Sequence, residues 1–281
     1  MSLERVEILR LTLFLTGLAC LGLAEALAPR RRLRAGKRRW PTNLSIVVVD
    51  ALFVRVVLMS LTAVAAASMA AERGWGWLNQ AALPEWAAIV LGILILDFAI
   101  YLQHVMFHAV PLLWRVHLVH HADIDLDVTT GLRFHPLEIA LSMLIKVGVV
   151  TLVGIPVTAV IVFEILLNAT SMFNHSNLRL PEAWDRALRW VIVTPDMHRV
   201  HHSVHRDETD SNFGFNAPWW DWLCGTYRAQ PRDGHETMAI GLTPYQDRER
   251  QSLGWVLALP FRPRPRELGV DRGRPEPTSL Q

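Results

Sequence analysis

Cysteine is nearly absent. The 281 residues hold only Cys20 and Cys224, far apart and in no CxxC pair. That excludes a disulfide scaffold and a thiolate metal site. Charge is scarce too: 19% of residues are charged and 51% are hydrophobic. Such a chain is too apolar for an ordinary soluble domain and too charged for a bare bundle of spans, so a membrane protein with a polar part on one side fits best. There is no internal repeat and no phosphate loop of the GxGxxG or GxxxxGKS/T kind, so any flavin or nicotinamide must sit on another protein. HExxH is missing, which removes the zincin arrangement. No ExxH stands beside the histidine clusters, as a carboxylate-bridged di-iron bundle would require.

What is present begins with long apolar runs. Residues 8–28, 44–70 and 86–103 each supply the roughly 20 apolar residues a bilayer crossing takes. The first follows an acidic start and shows no small-residue cleavage site, so it is expected to be a retained span rather than a signal peptide. Between the first two lies "RRRLRAGKRR" (Arg30–Arg39), seven of whose ten residues are basic, which places that loop in the cytoplasm. Trp75, Trp77 and Trp86 then mark the opposite interface, and the third span ends back on the cytoplasmic side. A fourth run, residues 139–169, is too long for one span and too short for two, with Gly154-Ile155-Pro156 at its middle to break a helix. Two short helices that enter the membrane and return are expected there. The tail is expected to be disordered from about Pro265.

Three histidine clusters flank that hairpin. "HVMFH" sets His104 and His108 four apart; "HLVHH" sets His117, His120 and His121 at i, i+3 and i+4; "HRVHH" repeats the triplet with His198, His201 and His202. These spacings put each cluster on one helix face. Neutral imidazole suits iron and zinc, and eight such rings exceed what one metal normally needs, so two metals sharing a site is the economical reading. A pair of HxxxH alone would be weak; the repeated HxxHH is not. Adjacent pairs such as His120-His121 serve no purpose in a b-type haem site.

The order HxxxH, HxxHH, then HxxHH after an apolar hairpin resembles the fatty acid hydroxylase (sterol desaturase) superfamily of membrane di-iron oxygenases. "LWRVHLVHHADIDLDVTTGLRFHPLE", "NHSN", "TPDMHRVHHS" and "NFGFNAPWWDWLCGTYR" carry the likeness, over about Asp97–Tyr227. The resemblance implies two iron ions, O2 as co-substrate, and hydroxylation of an unactivated C–H bond in a lipid. By position it implies the ligands His104, His108, His117, His120, His121, His198, His201 and His202, with His175 of "NHSN" as a ninth. His135 is a tenth ligand, a supporting donor or simply a helix-start residue. Asp97 and Tyr101, one or two turns before His104, are candidates to orient the rings, with Glu138, Asp196, Asn212 and Asp221 weaker ones. His205 and His235 read as surface residues, and Trp219, Trp220 and Trp222 as packing groups.

The expected whole is an all-α integral membrane protein: about three spans, a re-entrant helical hairpin and a cytoplasmic helical cap carrying the histidine boxes. Residues 1–85 form the N-terminal spans, 86–230 the catalytic domain and 231–281 a C-terminal region. Expected partners are a membrane lipid, the bilayer and a separate reductase or a ferredoxin- or cytochrome-like electron donor, with no nucleic acid. Composition suggests a bacterial inner membrane with the active site on the cytoplasmic side. A desaturase would use the same ligands. A non-catalytic metal-binding or transport protein would spread ionisable groups through its spans, whereas only Asp50, Arg55, Asp97 and Lys146 lie well inside apolar stretches.

Overall fold

The computed structural model describes residues 3–58, 61–247 and 251–263, and the tail expected to be disordered lies outside them. Helices in chain order are α1 (Leu3–Leu27), α2 (Trp40–Val57), α3 (Ala63–Arg73), α4 (Trp77–Gln80), α5 (Glu85–Ala109), α6 (Pro111–His121), α7 (Pro136–Val153) and α8 (Val157–His175). Shorter ones follow: α9 (Glu182–Leu188), α10 (Pro195–His201), α11 (Arg206–Thr209), α12 (Trp219–Cys224), α13 (Gly234–Thr237) and α14 (Leu253–Ala258). Among the described residues there are two isolated β-bridges and no strand. The fold is all-helical, as expected.

Among the described residues five helices are long and apolar enough to cross a membrane: α1, α2 with its preceding turn from Gly36, α5, α7 and α8. Two boundaries differ from the sequence reading. The run 44–70 is not one span. α2 stops at Val57 and α3 restarts at Ala63, where the Thr62 side chain accepts the Ala65 N–H and caps the new helix. At 11 residues α3 covers only about 16 Å, too short to cross. The hairpin does break at Gly154, but its arms are not short. α7 has 18 residues and α8 has 19, each of span length, because helix continues through the polar flanks to His135 and His175.

The apolar core lies between α3, α5, α7 and α8, around Ala66, Leu96, Ile100, Val150, Val160 and Phe163. A second cluster packs Trp114 and Leu118 of α6 against Ile46, Tyr245, Val256 and Leu259, so the C-terminal segment is clamped onto α6. Leu11, Leu15 and Leu23 of α1, Val48 and Leu52 of α2, and Leu152 of α7 face outward, as lipid-facing residues would. At the hairpin tip Gly154 takes φ +77° and Gly76 φ +82°, and the two backbones touch. A Cβ on Gly76 would sit 2.1 Å from the Gly154 nitrogen. Gly76→Ala should therefore cost about 2–4 kcal/mol, an overpacking loss plus a left-handed φ, read as a lowered unfolding midpoint in detergent. An unchanged midpoint would show that the tip contact is not rigid.

Both hairpin ends, the C-terminal end of α5 and all of α6 meet on one side. The chain leaves and returns to the same face, which brings the histidine clusters together.

Candidate metal centre

α5 carries His104 and His108 on one face, α6 carries His117, His120 and His121 in its last two turns, α8 ends on His175, and α10 brings His198 and His201 with His202 at its cap. α10 starts cleanly because Thr194 accepts the Met197 N–H and Pro195 opens the first turn. All nine rings are buried. They sort into two groups, His104, His108, His117, His121 and His201 in one and His120, His175, His198 and His202 in the other, with ligand atoms within 4.8 Å of one another in each. The groups interleave: His117 and His120 are one helical turn apart on α6, and His198 and His201 likewise on α10.

Ring orientation is set from behind. Nδ1 of His104 donates to the Phe213 carbonyl, that of His175 to Ser171 and that of His201 to Ser211, each at 2.7 Å. A carbonyl only accepts, so in these three rings Nε2 carries the lone pair. His117 Nδ1 lies 2.7 Å from Glu138 Oε1, and His108 Nδ1 lies 3.1 Å from Asp210 Oδ1. The Nε2 atoms face inward and crowd. His104 and His117 approach to 3.1 Å, and His175 lies 3.0 Å from both His120 and His198. His108 Nε2, His201 Nε2 and both ring nitrogens of His202 are buried with no hydrogen-bond partner. Each such orphan costs about 1–3 kcal/mol. A cation at each focus would take His108 Nε2, His201 Nε2 and one nitrogen of His202, so the donor set fits two metal ions. Burial holds His117 down to about 3, and burial together with neighbouring imidazoles keeps His120, His121, His198, His201 and His202 well below the ordinary histidine value. These rings are neutral at pH 7, the form that ligates.

Of the supporting residues singled out in the sequence, Glu138 reaches a ring, at His117 Nδ1, and the two favoured ones do not. Asp97 and Tyr101 touch no histidine. Asp97 accepts from Asn216, Trp220 and the Ala217 N–H, while the Tyr101 hydroxyl bonds Thr226, so both anchor the 212–226 loop. Their effect on His104 is indirect, through the Phe213 carbonyl in that loop. Asp221 and Asn212 hold the same loop: Asp221 accepts the Phe213 and Gly214 N–H groups, and Asn212, at φ +50°, bridges Met197 and Arg228. His135 lies outside both groups. Its Nδ1 caps α7 by accepting the Leu137 N–H, and its Nε2 donates to the Leu257 carbonyl. Asp196 pairs with Arg30 and Arg199. His235 is buried rather than at the surface, 3.7 Å from Asp196. His205 is half-buried on Asp233. Trp220 serves Asp97 and Trp222 packs on Trp190, but Trp190 itself and Leu223 stay exposed.

Two features carried no sequence signal. Asp210, Ser211 and Phe213 act through a carboxylate or a carbonyl in a nonperiodic stretch, and a carbonyl comes with any residue. Arg39, last of the basic run, is fully buried among Asp123, Asp125 and Asp127, the loop that leaves His121. Beside the five-histidine group opens a cavity of about 440 Å³. His104, His117, Phe107, Phe134, Phe215, Lys146 and Glu164 are among the residues that line it.

The profile of the family described as fatty acid hydroxylase matches residues 89–226. The chain is 29% identical over 152 residues to the ornithine lipid hydroxylase OlsE of Rhizobium tropici, covering 54% of this chain and 45% of that protein. It is 28% identical over 163 residues to the alkylglycerol monooxygenase of Homo sapiens, covering 56% and 33%. The very-long-chain aldehyde decarbonylase GL1-5 of Oryza sativa subsp. indica is 25% identical over 159 residues, covering 51% and 25%. The chain thus spans less than half the length of these curated relatives. No solved structure matches it.

Proposed function

Given that residues 89–226 are a fatty acid hydroxylase domain, we propose that the chain is a membrane oxygenase that hydroxylates an unactivated C–H bond of a lipid, using O2. The observation that carries this reading is the convergence of two groups of neutral, buried imidazoles at the end of a largely apolar cavity. His104, His108, His117, His121 and His201 would hold one iron, and His120, His175, His198 and His202 the other. Bound iron supplies the oxidising power that no side chain possesses. The chain supplies position and dryness. The Phe213, Ser171 and Ser211 carbonyls fix three rings in the ligating tautomer, and Glu138 and Asp210 orient two more. Phe107, Phe134 and Phe215 line the path to His104 and keep water from the reacting carbon. Electrons come from a separate reductase or a ferredoxin- or cytochrome-like partner, since the chain has no dinucleotide loop. The site lies on the side of the Arg30–Arg39 loop, the cytoplasmic side of a bacterial inner membrane.

The test is elemental mass spectrometry of detergent-purified protein, followed by a lipid assay with reductant and O2. About two irons per chain are expected, with one oxygen atom added to an extracted lipid. His120→Ala and His201→Ala, one from each group, should each lower the iron content and cut product more than about 100-fold, beyond the loss when a ligand's orienting partner is removed. Iron unaffected by His201→Ala would sink the shared-centre reading. Two irons with no oxidised lipid under any donor would sink the activity.

A further inference from the structure

Lys146 sits in mid-span on α7 and lines the cavity at a distance from the histidines. An ionisable group at that depth is costly unless paired, and its partner is Glu164 of α8, with Lys146 Nζ 3.1 Å from Glu164 Oε1. The other oxygen of that carboxylate, Oε2, already takes Arg10 of α1, whose Nη2 lies 2.9 Å away. One carboxylate thus holds two cations, and both of its oxygens are used. All three residues line the cavity. Of the other carboxyl groups on its wall, Glu138 faces His117 and Asp50 forms no ion pair with either cation. The cluster of Arg10, Lys146 and Glu164 at this end of the cavity thus sets two cations against one carboxylate.

Resting on the reading of this cavity as the lipid site, we infer that it binds a substrate with an anionic end group, most simply a carboxylate. Lys146 and Arg10 hold that group, and the span to the histidines selects the carbon. The anion restores neutrality: two cations meet Glu164 and one substrate charge. The donors are at hand, because Lys146 keeps two of its three N–H groups and Arg10 keeps further guanidinium N–H groups beyond its bond to Glu164. The ruler is set by α7. Glu138, against His117, and Lys146 are eight residues apart, about 12 Å along the axis. An extended alkyl chain advances about 1.25 Å per carbon, a zigzag of roughly 1.5 Å bonds. The two levels along α7 are thus offset by about the length of nine or ten extended methylenes.

The test uses the full chain in detergent, with and without iron, and three probes of equal length: hexadecanoate, its methyl ester and hexadecanol. Hexadecanoate should bind at least about tenfold tighter than the ester, about 1.4 kcal/mol, with or without metal. Lys146→Met should abolish the preference, Lys146→Arg should retain it, and Glu164→Gln should strengthen it. Equal binding of acid and ester by the wild type would overturn the inference. So would an undiminished preference in a folded Lys146→Met. Two irons and lipid oxidation without acid preference would remove this inference alone, whereas acid preference in a protein that takes up no iron and oxidises no lipid would remove only the oxygenase reading.

Discussion

Arg39→Met should destabilise the protein by about 3–5 kcal/mol, the usual consequence of removing one partner from a buried ion cluster. Arg39 is fully buried, reaching Asp123 and Asp127 with its two terminal nitrogens and Asp125 at 3.6 Å. Burial alone would push the Asp123 carboxyl up. Arg39 and Arg133, with hydrogen bonds from Asn43 and Thr130, hold it below the usual carboxylate range instead. Without Arg39, Asp123 would depend on Arg133, a guanidinium already committed to the Val119 carbonyl and Asn43. Asp127 would keep the Trp40 indole, and Asp125 the Arg34, Ala35 and Gly36 N–H groups. The damage should reach the centre, because Asp123 lies two residues beyond His121 and the loop continues to Gly131, packed against Ser171 and His175. Denaturant unfolding in detergent measures the first effect and iron content the second. Arg39→Lys should recover part of the stability, since a single ammonium cannot serve two carboxylates in a fork. A loss under about 1 kcal/mol for Arg39→Met would show that the aspartates are neutralised by other means.

Arg39 also shows where sequence reading stops. A run of seven basic residues in ten signals the cytoplasmic side, and that signal is the same whether a given arginine faces water or three aspartates 84 to 88 residues away. The histidines were legible because i, i+3, i+4 spacing is a local property of one helix. Their division between two foci was not: His117 and His120 share a helix but point to different groups, and that depends on how α8 and α10 pack beside α6. Asp97 failed as a partner of His104 for a related reason. Helical periodicity gives the face of a residue and not its depth, and seven residues place Asp97 about 10 Å along the axis from His104. The hairpin break was visible in Gly154 and Pro156. The break after Val57 was not, since neither glycine nor proline marks it and only the Thr62 cap does. His135 was readable as a cap because a proline follows it at the first helical position.

Stripped of metal, the protein should lose stability steeply as pH falls from 6.5 to 5.5. His117, His120, His121, His198, His201 and His202 titrate near 6.5 once unfolded but are held far lower in the fold, His117 by burial and the other five by burial and neighbouring imidazoles. Between those values the unfolded chain binds protons that the folded chain refuses, so stability rises with pH and falls on acidification. The loss begins as pH drops through the unfolded value near 6.5 and continues until the folded rings protonate. Each histidine contributes about 1 kcal/mol across that first unit, and six contribute about 6 kcal/mol, comparable to the whole stability of many domains. Bound metal should shift the transition to lower pH, because it binds the neutral rings of the folded state alone and adds its own linkage term. Thermal unfolding followed by circular dichroism at half-unit pH steps, on chelator-treated and iron-loaded protein, measures both curves. His198→Ala should flatten the metal-free curve by about one proton's worth, about 1.4 kcal/mol per pH unit at most. A metal-free curve flat from pH 7 to 5 would mean that water already reaches these rings without metal. The centre would then be assembled by its ions rather than prebuilt by the fold.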